Sequence, residues 1–237
     1  MSIDLLENIA SQLTPQMTQK ISSFLGETPA QTQTAIDGAI PTLLAGLMHF
    51  SSLANGPVQL LGLINRDNYG RLLNNLSGLC DEGNTTQNVM TTGQEILREV
   101  FADKLDAASE RLAAASGVTA VSASSLLSLT APVVVGVLGR VRGVQGLNAA
   151  RLTTLLMGQK DAIAKLAPAG LAEVFGVSSL TNLGPKLTDV KIAPTPTPVR
   201  HMAASAASDN STLKKWRWPA LGVVAIGLIY FFLFSSS

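Results

Sequence analysis

The chain has 237 residues, with 17 Lys and Arg against 16 Asp and Glu, for a formal charge of +1. Apolar residues make up 46%, which excludes wholesale disorder, while charged residues, at 14%, fall below the roughly 25% of an ordinary soluble domain. A single cysteine excludes a disulfide framework and a multi-cysteine zinc site, and two histidines, His49 and His201, leave little material for metal or acid–base chemistry.

The N-terminus, MSIDLLENIA, carries Asp4 and Glu7 and no basic n-region, so it does not read as a secretion signal. Helical periodicity then dominates. Between 30 and 50, Ile36, Ile40, Leu43, Leu44 and Leu47 form one stripe. Between 95 and 115, Leu97, Phe101, Leu105, Ala108 and Leu112 form another, with Glu95, Arg98, Glu99, Asp103, Asp106, Glu110 and Arg111 on other faces; this predicts one amphipathic helix. Sustained alternation is absent, and the Val run 133–135 sits inside a helical period, so residues 1–187 are expected to be all-α.

A shift of 91 residues aligns the two halves of this body. Gly26 meets Gly117, Thr28 meets Thr119, Pro41 meets Pro132 and Leu47 meets Leu138. The apolar stripes coincide as well, Leu6 with Leu97, Ile9 with Val100 and Ile21 with Leu112. Identity alone is weak, at five matches in 43 positions, but the shared glycine, proline and stripes predict a helical bundle of two tandem repeats, about 5–92 and 93–187. Each copy has an uncharged stretch, Gly38–Asn65 and Leu112–Gly139, with a proline inside an apolar helical pattern. Buried helices packed on each other account for both stretches. Membrane insertion is the alternative, weakened by the hydroxyls at 122, 124, 125, 128 and 130. Small residues Gly38, Ala45 and Gly46 beside the Ile36 stripe would let helices approach closely.

Catalytic constellations are not legible. Cys80 lies beside Asp81 and Glu82, which should raise rather than lower its pKa. His49 ends an apolar helix, where capping or plain exposure is expected. Asp103 and Asp106 share an exposed face rather than a metal site. Gly136, Gly139, Gly143 and Gly146 lack the strand–loop–helix setting that phosphate binding needs. No catalytic residue, cofactor or metal is expected, nor an enzyme. Residues 1–115 carry 12 acids and 6 bases, whereas 116–187 carry 2 acids and 6 bases, so opposite charges are available for pairing within the fold or between molecules. Basic runs with interleaved aromatics are missing, which disfavours nucleic acid.

Residues 188–213 include APTPTPVRHMAASAASDNST, where Pro194, Pro196 and Pro198 forbid a helix; this reads as a flexible linker, with His201 solvated in it. The segment 214–237 reads as a membrane anchor. Residues 218–234 are uncharged and would span about 26 Å as a helix, near the lower limit for a hydrocarbon core. Lys214, Lys215 and Arg217 flank it on one side, with Trp216 and Trp218 at the interface position and Pro219 at the helix start. Only Ser235, Ser236 and Ser237 follow. The positive-inside rule then puts the body in the cytoplasm, with one pass through the bilayer.

Three motifs carry a family resemblance. They are Leu127, Ala131, Pro132, Gly136, Leu138 and Gly139; then Leu152, Leu155, Leu156, Gly158 and Gln159; and Gly93, Gln94, Ile96 and Leu97. With them, residues 1–187 resemble the bacterial family catalogued as domain of unknown function 937, in the YidB-like helical group. The motifs are structural, so the resemblance implies a fold and a bacterial inner-membrane setting but no catalytic residues. Members of that family often continue past a membrane helix into a peptidoglycan-binding domain. Here Ser237 follows directly on the apolar segment, which implies no such extension. The expected function is a helical module on the cytoplasmic face of the inner membrane, held to the bilayer by its C-terminal helix, that binds an unidentified protein or itself. The alternative is a membrane-active protein whose apolar helices insert into or remodel lipid.

Overall fold

The computed structural model describes residues 4–66, 69, 73 and 84–184, all within the compact unit Met1–Asp189. The linker and anchor segments, with Lys214, Lys215, Trp216, Arg217 and Trp218, lie outside the described residues, as do Cys80 and His201. Among the described residues there is no strand; the body is an all-helical bundle.

Local chemistry sets most helix boundaries. Asp4 accepts the Glu7 N–H and starts α1, Leu5–Ala10. Thr14 and Pro15 open α2, Pro15–Leu25, with proline at a position where its missing N–H costs nothing. Gly26, at φ 70°, closes α2 in the left-handed conformation that glycine tolerates. Thr28 then accepts the Gln31 N–H and opens α3, Pro29–Ser52. After α4, Gly56–Arg66, and α5, Asn84–Phe101, a short 3-10 turn at Ala102–Lys104 leads into α6, Leu105–Ser116. Gly117, at φ 75°, closes α6, and Thr119 accepts the Ser122 N–H to open α7, Ala120–Gln145. Gly146 ends α7, and Asn148 accepts the Arg151 N–H to start α8, Ala149–Met157. The short helices α9, Lys160–Leu166, and α10, Leu171–Val174, complete the described body with a 3-10 turn at Leu180–Asn182.

The two uncharged stretches form the centre of the bundle. α3 and α7 pack on each other, and every residue from Ala39 to Met48 and from Leu126 to Leu138 is buried. Helices apolar on all sides belong in a core, because no face is suited to water. Ile36, Leu43, Leu44, Leu47, Leu127, Val134, Val135 and Leu138 are all buried. Three hydroxyls inside these helices are satisfied locally: Thr42 donates to the Gly38 carbonyl at 2.7 Å, Thr130 to Leu126 at 2.8 Å and Ser128 to Ser124 at 2.9 Å. Around this pair, α5 runs along α7, while α2 and α6 each touch both long helices.

Close approach is achieved by glycine. Pro132 lies inside α7 and has no N–H for the carbonyl four residues back, that of Ser128. Gly93 of α5 packs against that carbonyl so tightly that a Cβ would overlap it. Gly46 of α3 meets the ring of the buried Phe101 in the same way, and Gly38 faces Leu112 and Pro168. The Gly-Gln-x-Ile-Leu motif thereby acquires a packing role: Gly93 admits α7, and Ile96 and Leu97 enter the core.

The two halves share their punctuation at the 91-residue offset. Gly26 and Gly117 are both left-handed C-caps, Thr28 and Thr119 are both N-caps, and Pro41 and Pro132 both lie buried inside the long helices. One expectation fails. The stripe 95–115 is not one helix, because α5 stops at Phe101, and Ala102 adopts a left-handed φ of 50°. The break redirects the chain so that Phe101 is buried against Gly46, while α6 turns its Ala108 and Leu112 into the core. The corresponding place in the first half, between Ala10 and Pro15, is likewise a break between helices.

Candidate functional site

A metal-binding group of three or more His, Cys, Asp or Glu is absent among the described residues. Asp103 and Asp106 are both exposed, and Asp103 pairs with Lys104 at 3.2 Å. A cavity of about 10 Å³ between α3, α5 and α7 is lined by apolar side chains, among them Leu43, Leu47, Leu97, Phe101, Val134 and Val135. It is far below the 300 Å³ and more that organic ligands occupy. Gly136, in the glycine-rich part of α7, faces the Tyr69 carbonyl and Leu73, and Gly139 faces Ile64; both serve packing.

His49 departs from the expected exposure. Its ring is half-buried and lies 5.0 Å from that of Phe175, which in turn is 5.9 Å from Phe101. Burial, reinforced by the Lys104 charge and opposed by Asp103, holds the imidazole pKa below its usual value, so the ring is neutral at pH 7. The helix-end preference for a cation loses here because Phe175 removes water from the ring. Phe175 lies more than a hundred residues away in sequence, so no local signal placed it there.

Sequence reasoning also missed a contact between the two glycine turns. The Glu27 carboxylate accepts the Thr119 N–H at 2.9 Å, and the Gln31 amide donates to the Gly117 carbonyl at 2.7 Å. Both side chains belong to the first half and both partners are backbone groups of the second, so the Gly26–Thr28 end caps the Gly117–Thr119 turn. The backbone hydrogen bond from Thr119, aided by Ser122, holds the Glu27 carboxyl below its ordinary pKa. One ion pair joins the acidic and basic halves, Arg111–Glu173 at 3.2 Å; both side chains are largely exposed, and the base comes from the acidic half.

The apolar helix Ala120–Gln145 has the length and composition to cross a membrane, yet 83% of its apolar window is buried inside the body. That is the signature of a core helix.

A family model described as "Bacterial protein of unknown function (DUF937)" matches residues 7–141, more than half of the chain. The chain belongs to the DUF937 family. The DUF937 match begins in α1 and ends in α7, so it takes in both glycine turns and both long helices. No curated protein and no solved structure matches the chain.

Proposed function

We propose that this DUF937 protein is a membrane-tethered helical module, held by residues 214–237, whose cytoplasmic body binds a protein partner or a second copy of itself. The observation that carries the reading is the contrast between two kinds of apolar segment. The uncharged helices of the body are consumed by packing against each other. Residues 218–234 are equally apolar and carry Lys214, Lys215 and Arg217 on one flank, as a single bilayer span does. Burial of α7 speaks against the alternative, in which the body's helices insert into lipid. We read the body as non-catalytic, supported by the small size, about 10 Å³, of the apolar cavity between α3, α5 and α7. We also read the body as a duplication, supported by caps and prolines that recur at one offset.

Deleting 214–237 tests the tether. The truncated protein is expected in the soluble fraction after cell lysis. Continued pelleting with membranes after a high-salt wash would overturn the reading. Partner binding is tested by cross-linking the full chain in its native membrane, and recovery of the protein solely as an uncross-linked monomer would count against it.

A further inference from the structure

The two long helices end in turns of unusual character. Beside the α3–α4 turn Leu53 and Val58, the latter in the first turn of α4, are exposed, and beside the α7–α8 turn Val144, in the last turn of α7, is 83% exposed. Leu53 and Val144 lie at the same place in the two halves, 91 residues apart. Both turns are at the C-terminal ends of α3 and α7, away from the N-terminal ends that Glu27 and Gln31 hold together, and α4 and α8 pack on each other beside them.

The second half supplies this end with cations. Between Glu110 and Asp161 the chain has no acid, and Arg140, Arg142 and Arg151 fall in that run. Among the described residues none of the three has an ion-pair partner. Arg142 sits in the last turn of α7, where a cation also suits the helix dipole; Arg140 and Arg151 are exposed, and Arg140 shares a helix face with Val144. On the α3 side the neighbouring acids are already engaged, Glu99 by Arg66 at 2.7 Å and Asp103 by Lys104. At the opposite end are Phe24, three residues before the acidic Glu27, and Val121, two residues after Thr119, the hydrogen-bond partner of Glu27; both are exposed.

We propose that the end of the bundle carrying Val144, Leu53, Val58 and the three arginines docks on an anionic lipid bilayer. Unpaired arginines complement phosphate headgroups, and isolated aliphatic tips suit the headgroup–acyl boundary. A nucleic acid would call for aromatic stacking partners beside the bases, and this end exposes only aliphatics. The inference rests on the membrane-tethered reading, since a flexible linker of the length of 188–213 would keep the body at a root-mean-square distance of roughly 30 Å from the surface. At that range weak contacts suffice; each basic residue near an anionic surface adds about fivefold to partitioning.

The test uses the full chain with Cys80→Ser and one new cysteine, Val144→Cys or Val121→Cys, carrying a polarity-sensitive fluorophore. It is reconstituted in vesicles of phosphatidylcholine alone, or of phosphatidylcholine and phosphatidylglycerol in equal parts. The probe at 144 is expected to shift to the blue and to be quenched by spin-labelled lipid in the anionic vesicles only, while the probe at 121 stays in water in both. Arg140→Gln with Arg151→Gln, which leaves the helix-end Arg142 in place, should reduce the response at 144. Equal behaviour of the two probes in anionic vesicles would overturn the proposal. So would a response at 144 to double-stranded DNA without one to anionic vesicles, which would make the face a nucleic-acid surface. Flotation with neutral vesicles in high salt reports on the anchor separately. If that flotation fails while the response at 144 in anionic vesicles persists, the tether reading falls and the docking face stands.

Discussion

The Glu27 carboxylate accepts the Thr119 backbone N–H at 2.9 Å, so the residue that leads into one long helix caps the start of the other. The N-terminus of α7 is held by Thr119 from within and by Glu27 from the opposite half. This contact is ion-sensitive, because a carboxylate accepts the hydrogen bond far better than a carboxylic acid. The folded-state pKa of Glu27 is depressed from 4.5. Its contribution is therefore complete above the unfolded pKa and is lost as pH falls through the folded one. Glu27→Gln should flatten that part of the acid-side loss of stability, measured by urea unfolding from above pH 4.5 downward. A variant whose pH profile parallels the wild type would show that the cap contributes nothing.

Gly93→Ala should destabilise the protein by about 1–3 kcal/mol, as overpacking does, despite the higher helix propensity of alanine. The new Cβ meets the Ser128 carbonyl, which is backbone and cannot swing aside. Gly62→Ala is the control, since a Cβ there meets nothing within 4 Å and α4 should gain from the substitution. Thermal melts of the pair decide it: similar shifts in both would mean that α5 and α7 are not in contact at Gly93.

Ala102→Gly should stabilise by about 1 kcal/mol, an unusual sign for a glycine next to a helix. Ala102 sits at φ 50°, where an L side chain is strained and glycine is not. A lower midpoint in urea for the variant would indicate that the break between α5 and α6 is not left-handed.

His49→Phe should keep the packing against Phe175 while removing a titration. The folded-state pKa of His49 lies below 6.5, so the unfolded chain binds the proton first, and wild-type stability falls as pH drops from above 6.5 toward the folded value. The variant should lose that slope and be at least as stable as the wild type below pH 6. Retention of the full slope would assign it to another group.

Local chemistry made much of this body readable. Gly26, Gly117, Thr28 and Thr119 act within one helical turn of themselves, so their capping roles follow from residue type and spacing. The all-apolar runs around Leu44 and Val135 have no face suited to water, so their burial was equally determined. What escaped is non-local. The amphipathic stripe through 95–115 runs unbroken across Ala102, because periodicity registers which residues are apolar and not where the chain turns. The 91-residue offset held the missing signal: Ser11 to Pro15 in the first half marks a helix break, and the same position in the second half is Ala102 to Asp106. The half-buried state of His49 depended on Phe175, and the cap on Thr119 depended on Glu27, partners that only packing of α3 against α7 and of the C-terminal segment against α3 brings near. Sequence by itself thus determined which segments are helical and which are core, since those are properties of nearest neighbours and of transfer from water. Tertiary structure alone decided which surfaces meet, because a contact between residues 92 or 126 positions apart depends on how whole helices are placed rather than on the preferences of either residue.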